Sequence, residues 1–159
     1  VPTEEEFRAR ITRTRERYPY IVAVKDGQII GYIYASPLSP RHAYSWAAET
    51  SIYIRQNVRR TGAGSRLYKA LSAICRKQNV LNLYARIAFA DPEDEFLVNA
   101  SARFHEAIGF RKAAEFHRVF HKLDAGTMPS GWKNCWETTT KEPCLKSFPS
   151  RSSILPMKI

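Results

Sequence analysis

Arg59-Arg60-Thr61-Gly62-Ala63-Gly64 packs two guanidinium groups, a hydroxyl and two glycines into six positions. Glycines let backbone approach a ligand closely. Directly afterwards, apolar residues fall at Leu67, Ala70, Leu71 and Ile74, a helical spacing that ends near Lys77. A helix N-terminus offers unpaired N–H groups and the positive end of a dipole to a phosphate, and Arg59 and Arg60 add charge. No Gly-Lys-Ser/Thr follows, so this is not a Walker loop, and the six-residue dinucleotide fingerprint is absent too. Two readings stand side by side at this point: a phosphate-binding loop, and an ordinary turn that starts a helix among basic residues.

The elements that would hold this loop follow from periodicity and punctuation. Thr3-Glu4-Glu5-Glu6 has the hydroxyl cap and first-turn acids of a helix start, and that helix is predicted to run to about Arg17. Tyr20–Val24 and Gln28–Tyr34 read as strands joined by the hairpin signal Asp26-Gly27. Pro37 and Pro40 punctuate a loop, and Trp46–Ile54 reads as the next strand. Beyond the central helix, Leu81–Ala88 alternates as a buried strand and Asp91–Val98 is an acidic loop. Ala102–Ile108 is helical and stops at Gly109, and Phe110–Phe120 reads as a further strand. This mixed order places the chain in the α/β (α+β) class, with a crossover helix after the third strand.

At 159 residues the chain fits one domain. No apolar run approaches the roughly 18–20 residues that span a bilayer, and no basic-then-apolar signal segment opens the chain. The expectation is a cytoplasmic protein without a membrane partner. Three cysteines, Cys75, Cys135 and Cys144, without framework spacing argue against a disulfide scaffold. The four histidines are dispersed, so no metal site is expected. The net charge is +10; residues 1–122 hold 20 of the 25 Lys and Arg and 12 of the 15 Asp and Glu. Such a surface suits nucleic acid or a polyphosphate ligand such as CoA, and composition does not choose between them.

Arg59-x-x-Gly62-x-Gly64 resembles the pyrophosphate loop of GNAT acetyltransferases. The segments Tyr32-x-Tyr34-Ala35-Ser36-Pro37, Arg41-x-Ala43-Tyr44-x-Trp46 and Glu49-x-Ser51-x-Tyr53 resemble the phosphinothricin acetyltransferase branch of that superfamily. So does Phe104-His105-Glu106-Ala107-x-Gly109-Phe110, and the similarity runs from Val1 to about Lys122. The resemblance implies the GNAT fold, a mixed central sheet with flanking helices, and acetyl-CoA as acetyl donor with no metal. It implies transfer to the amino group of a small amino-acid-like substrate of the phosphinothricin, methionine sulfone or methionine sulfoximine type, and a homodimer, as relatives commonly form.

The resemblance also assigns roles. Glu49 matches the proposed general base, which takes a proton from the ammonium so that the amine can attack. Ile52, Tyr53 and Ile54 match the strand that splays from its neighbour and offers backbone groups to the pantetheine arm. Arg59, Arg60, Thr61, Gly62, Ala63, Gly64 and Ser65 would hold the pyrophosphate. His105 matches a histidine near the reaction centre that assists proton transfer or protonates the leaving thiolate. Asn99 is set against an Asn that contacts CoA, although it lies six residues before His105 where many members have seven. Arg41, Tyr44 and Trp46 match residues lining the acceptor pocket, where an Arg suits a substrate carboxylate.

Two departures carry expectations of their own. The chain opens at Val1 where relatives have completed one strand and one or two helices, so an N-terminal truncation with loss of the first strand is expected. After Lys122 the family pattern stops. Reading each codon from its third base forces Trp132-Lys133 to Glu, Trp136-Glu137 to Gly and Met128-Pro129 to Ala. Permitted codons elsewhere turn Leu123–Asn134 into a good likeness of the family's final strand, which makes a frame shift the expectation. Coding DNA that runs in frame through Leu123 in independent reads refutes it. The domain is therefore expected over 1–137, with 138–159 a non-family tail rich in Ser, Thr, Pro and Lys and disordered. Competing readings are a protein or peptide N-acetyltransferase, a basic nucleic-acid-binding module resting on Arg55, Arg59, Arg60, Arg66 and Lys69, and an inactive fragment.

Overall fold

The computed structural model describes residues 2–90, 92–93, 98–120 and 133–140. Residues 121–132 and 141–159, which hold most of the segment of the expected frame shift and most of the expected tail, lie outside the described residues, as do 91 and 94–97 of the acidic loop.

Helix α1 (Glu4–Arg15) begins with a capping box: the Glu6 N–H donates to Thr3 Oγ1 at 3.2 Å and the Thr3 N–H donates to the Glu6 carboxylate at 2.7 Å. Strands β1 (Tyr20–Lys25) and β2 (Gln28–Pro37) form an antiparallel hairpin. Its turn needs positive φ at both central residues, met by Asp26 at 50° and Gly27 at 74°. A 3-10 turn at His42–Tyr44 leads into β3 (Ala47–Ile54), and a second at Gln56–Val58 leads into α2 (Ala63–Lys77). Then come β4 (Asn82–Phe89), α3 (Ala100–Ala107), β5 (Phe110–Phe120) and β6 (Lys133–Thr140).

The sheet order is β1-β2-β3-β4-β6-β5. β3 and β4 are parallel across the α2 crossover and the other neighbours are antiparallel. The expected α/β architecture is therefore present. β6 is the element that periodicity does not reveal. It pairs with both β4 and β5, and it runs through Thr140, past residue 137 where the sequence pattern is lost.

Alternation sorts the sheet into two faces. Ile33, Ala35, Ala48, Leu83, Ala85 and Ile87 are buried and form one core with Leu67, Tyr68, Leu71 and Cys75 of α2, Ala102 of α3, and Phe110. The opposite face carries stacked tyrosines. Tyr20 lies 5.1 Å from Tyr34 and 5.6 Å from Tyr32, and Tyr32 lies 4.8 Å from Tyr53 between ring centroids. Phe7 of α1 meets Tyr32 edge-on. Burial, followed by the neighbouring tyrosines, pushes the Tyr20 phenol up to about 12. Among the described residues, no helix is long and apolar enough to cross a membrane.

Candidate active site

β3 and β4 share only three rungs, Ala47–Asn82, Ala48–Leu83 and Glu49–Tyr84. Beyond the last rung the recorded pairing stops, so Thr50–Ile54 and Ala85–Phe89 form the two arms of a fork. The outer edge of β3 is occupied by β2 and the outer edge of β4 by β6. The inner edge of β3 at 50–54 thus turns ladder groups toward the opening, where an extended ligand can pair as an added strand.

The arginine-glycine loop follows the β3 arm directly. Arg60 adopts φ +62° and Gly62 φ +80°, left-handed values that a side-chain-bearing residue such as Arg60 seldom takes. Thr61 Oγ1 donates to the Val58 carbonyl at 2.8 Å and ties the loop to the preceding 3-10 turn. Gly62 is the N-cap of α2 and brings no side chain to cap it. The first-turn N–H groups of α2, from Ala63 through Ser65, therefore face outward beside the exposed Arg59 and Arg60. Gly64 sits close under the fork: a Cβ there would lie 2.9 Å from the Phe104 ring and 3.7 Å from Ile52 Cδ1. The structure thus joins Ile52 with the 59–65 loop. Ile54 packs against the core. Tyr53 points to the other face and is 54% exposed.

Glu49 closes the last rung and projects onto the tyrosine face. Both of its carboxylate oxygens accept from the Arg86 guanidinium of β4: Nε donates to Oε1 at 2.8 Å, and Nη2 donates to Oε2. A fork-on-fork pair of this kind fixes the carboxylate plane. Each oxygen keeps a further acceptor position.

The next residue, Thr50, projects to the helix face and is buried. Its Oγ1 lies 3.0 Å from the Tyr84 carbonyl across the fork apex and 3.0 Å from Tyr68 Oη. Tyr68 Oη lies 2.7 Å from His105 Nε2, and His105 Nδ1 lies 2.7 Å from the Ser101 carbonyl. A carbonyl only accepts, so Nδ1 carries the hydrogen. His105 is 3% exposed, enclosed by Tyr68, Phe104 and Phe110. Burial holds its imidazole below the usual 6.5, with the Ser101 bond opposing in part, and burial also pushes the Tyr68 phenol up. His105 thus reaches the fork only through Tyr68 and Thr50.

The remaining expected residues lie elsewhere. Asn99 is buried, with Oδ1 accepting from the Ala90 N–H at 3.1 Å and Nδ2 donating to the Ala90 carbonyl at 2.8 Å. These two bonds clip the end of β4 to the start of α3 and place Asn99 at that junction. Arg41, Tyr44 and Trp46 lie on the exposed loop that enters β3, ahead of Glu49 in the chain. Tyr68, Thr50 and Arg86 escaped sequence reasoning. The available signal for Tyr68 was a hydroxyl on the apolar stripe of α2.

A parallel pair that forks after three rungs, with a glycine-arginine loop and an uncapped helix start on one arm, is an arrangement able to receive an extended polyphosphate ligand. Residues 1–125 match the model of the acetyltransferase (GNAT) domain. The chain belongs to the GNAT acetyltransferase family. It is 34% identical over 108 residues to phosphinothricin N-acetyltransferase of Streptomyces viridochromogenes, covering 68% of this chain and 55% of that protein. It is 33% identical over 123 residues to phosphinothricin N-acetyltransferase of Alcaligenes faecalis, covering 77% and 59%. The chain thus spans a little over half the length of these curated relatives. A GNAT superfamily phosphinothricin acetyltransferase from Sinorhizobium meliloti, solved in complex with AcCoA, superposes with a TM-score of 0.72 at 26% identity, over 89% of this chain and 70% of that one.

Proposed function

We propose that this chain transfers the acetyl group of acetyl-CoA to the primary amine of a small amino-acid-like substrate of the phosphinothricin or methionine sulfoximine type. The observation that carries the reading is the fork. Its β3 arm offers backbone to the pantetheine, Ile52 and Gly64 floor the passage, and the N–H groups of Ala63, Gly64 and Ser65 with Arg59 and Arg60 receive the pyrophosphate. Arg41, Tyr44 and Trp46 form the acceptor side.

Glu49 serves as base in this reading. It stands at the apex on the open face, held by Arg86, where an incoming ammonium can surrender a proton to a carboxylate oxygen. The neutral amine then attacks the thioester carbonyl. The bond from carbonyl carbon to sulfur breaks, the thiolate leaves within the fork, and the extra proton on the new amide nitrogen passes to solvent.

Calorimetric titration of the whole chain with acetyl-CoA tests the reading, followed by thiol release with a panel of small amino acids and a peptide amine. Micromolar binding and turnover with phosphinothricin or methionine sulfoximine are expected. Binding with turnover of the peptide alone overturns the acceptor, and absence of binding overturns the acetyltransferase reading for this chain.

A further inference from the structure

Four contacts run in series from the Ser101 carbonyl through His105, Tyr68 and Thr50 to the Tyr84 carbonyl. Both ends are acceptors only. Each contact needs one hydrogen, yet a neutral imidazole, a phenol and an alcohol supply three between them. Whichever way the hydroxyls turn, one contact stays empty. With Nδ1–H committed to Ser101, the empty contact falls at Nε2 when Tyr68 donates to Thr50, and at Thr50–Tyr68 or Thr50–Tyr84 when Tyr68 donates to Nε2, according to which way the Thr50 hydroxyl turns.

One added proton resolves the shortage. The imidazolium donates from Nδ1 to Ser101 and from Nε2 to Tyr68 Oη; Tyr68 then donates to Thr50 Oγ1, and Thr50 to the Tyr84 carbonyl. Four hydrogens fill four contacts, all pointing toward the fork. Buried polar groups left without partners are costly, so the chain as a unit favours that proton more than an isolated buried imidazole would.

We propose that Tyr68 and Thr50 are positioning residues that tie His105 to the apex of the β3–β4 fork, the three side chains taking up and giving up one proton as a single unit. The role in catalysis rests on the acetyltransferase reading. If Thr50 O–H donates its proton to a thiolate at the apex, Thr50 takes the Tyr68 hydrogen, Tyr68 takes the Nε2 hydrogen, and the imidazolium becomes neutral imidazole while the thiolate becomes thiol. Glu49 on one face and this chain on the other then flank the apex. Among the described residues, the groups facing His105 are Tyr68 from α2, Phe104 and the Ser101 carbonyl from α3, and Phe110 from β5. Tyr68 is the titratable one among them, and no charged side chain among the described residues contributes to the His105 shift.

The test is the titration of His105 followed by nitrogen NMR of the whole chain without ligand. The neutral form should show hydrogen on Nδ1. Thr50→Val removes a group that does not touch the imidazole, fills the shortage in the neutral state and leaves the protonated chain without its terminal acceptor. It should lower the His105 midpoint by about 0.5–1 pH unit, the equivalent of one hydrogen bond. Thr50→Ser should restore it. Tyr68→Phe, a second route that keeps the ring, should lower the midpoint as well. A midpoint that stays in place in both Thr50→Val and Tyr68→Phe, or a neutral form with hydrogen on Nε2, overturns the proposal. A midpoint that falls in Thr50→Val in a chain that shows no response to acetyl-CoA upholds the coupled unit and removes only its place in acetyl transfer.

Discussion

Replacing Glu49 by Gln separates the base from everything else the site does. Gln keeps the shape and one oxygen that can accept from Arg86, so the strand and its rung to Tyr84 are retained. The Arg86 side chain is 60% exposed and that of Glu49 16%, so solvent screens the pair from one side and its worth is on the order of 1 kcal/mol. The melting temperature should then move by no more than about 4 °C. Acetyl-CoA affinity should be unchanged, because the fork backbone and the 59–65 loop lie on other atoms. The chemical step should lose about 10²–10⁴-fold in kcat, the range for a positioned general base. The deficit should also shrink as pH rises toward the amine's own pKa, since an amine already neutral in solution needs no base. The assay is thiol release at saturating acetyl-CoA and amine across pH, with calorimetry and thermal melts as controls. A kcat within about tenfold of the parent value would remove Glu49 as the base. A loss equal at every pH would refute the proton-transfer argument and point to positioning instead.

Two further outcomes follow from the packing. At Gly31, an added Cβ would meet the Tyr53 carbonyl and Ile54 Cδ1, both at 2.6 Å, and the first is backbone that cannot turn aside. Gly31→Ala should therefore destabilise by about 1–3 kcal/mol in denaturant unfolding and weaken acetyl-CoA binding by displacing the β3 arm; a variant as stable as the parent would contradict the close approach of β2 and β3. The buried His105 makes stability fall with acid. Its folded-state pKa lies below 6.5, so the unfolded chain binds the proton first, and the contribution is fully present above 6.5 and lost as pH falls through the folded value. Melts across that interval should show the loss, and His105→Asn should flatten it.

Local signals read well in this chain. Thr3 with Glu6, Asp26-Gly27, the α2 stripe and Gly109 each act over a few residues, and each element they announce is present. Lys133–Thr140 was opaque because Lys-Asn-Cys-Trp-Glu-Thr-Thr-Thr has no apolar alternation; what organises it is the pair of open ladders that β4 and β5 present on either side. The resemblance supplied the candidate residues, and the contacts that topology makes between distant positions stayed hidden. Arg86 meets Glu49, and Tyr68 meets His105, across 37 positions each. No period links such pairs. Asn99 bonds locally, nine positions from Ala90, and that side-chain clip has no periodic signal either.

The decisive geometric fact is that the ladder between β3 and β4 ends at Glu49. In a strand, adjacent side chains leave on opposite faces. Ending the rungs there puts an acid residue on the open face and a hydroxyl on the buried face at the same apex. The open face is tyrosine-lined, and in the proposed reaction it suits a carboxylate that must meet an ammonium. The buried face is dry and can hold a hydrogen-bonded chain whose proton count is defined. A slip of one residue in the β3 register would exchange the two, burying Glu49 among Tyr68, Phe104 and Phe110 and exposing Thr50. The buried Ala48 and Thr50, packed on the α2–α3 core, oppose that slip. In the proposed reaction, core packing therefore sets which side of the fork would take the amine's proton and which side would store one.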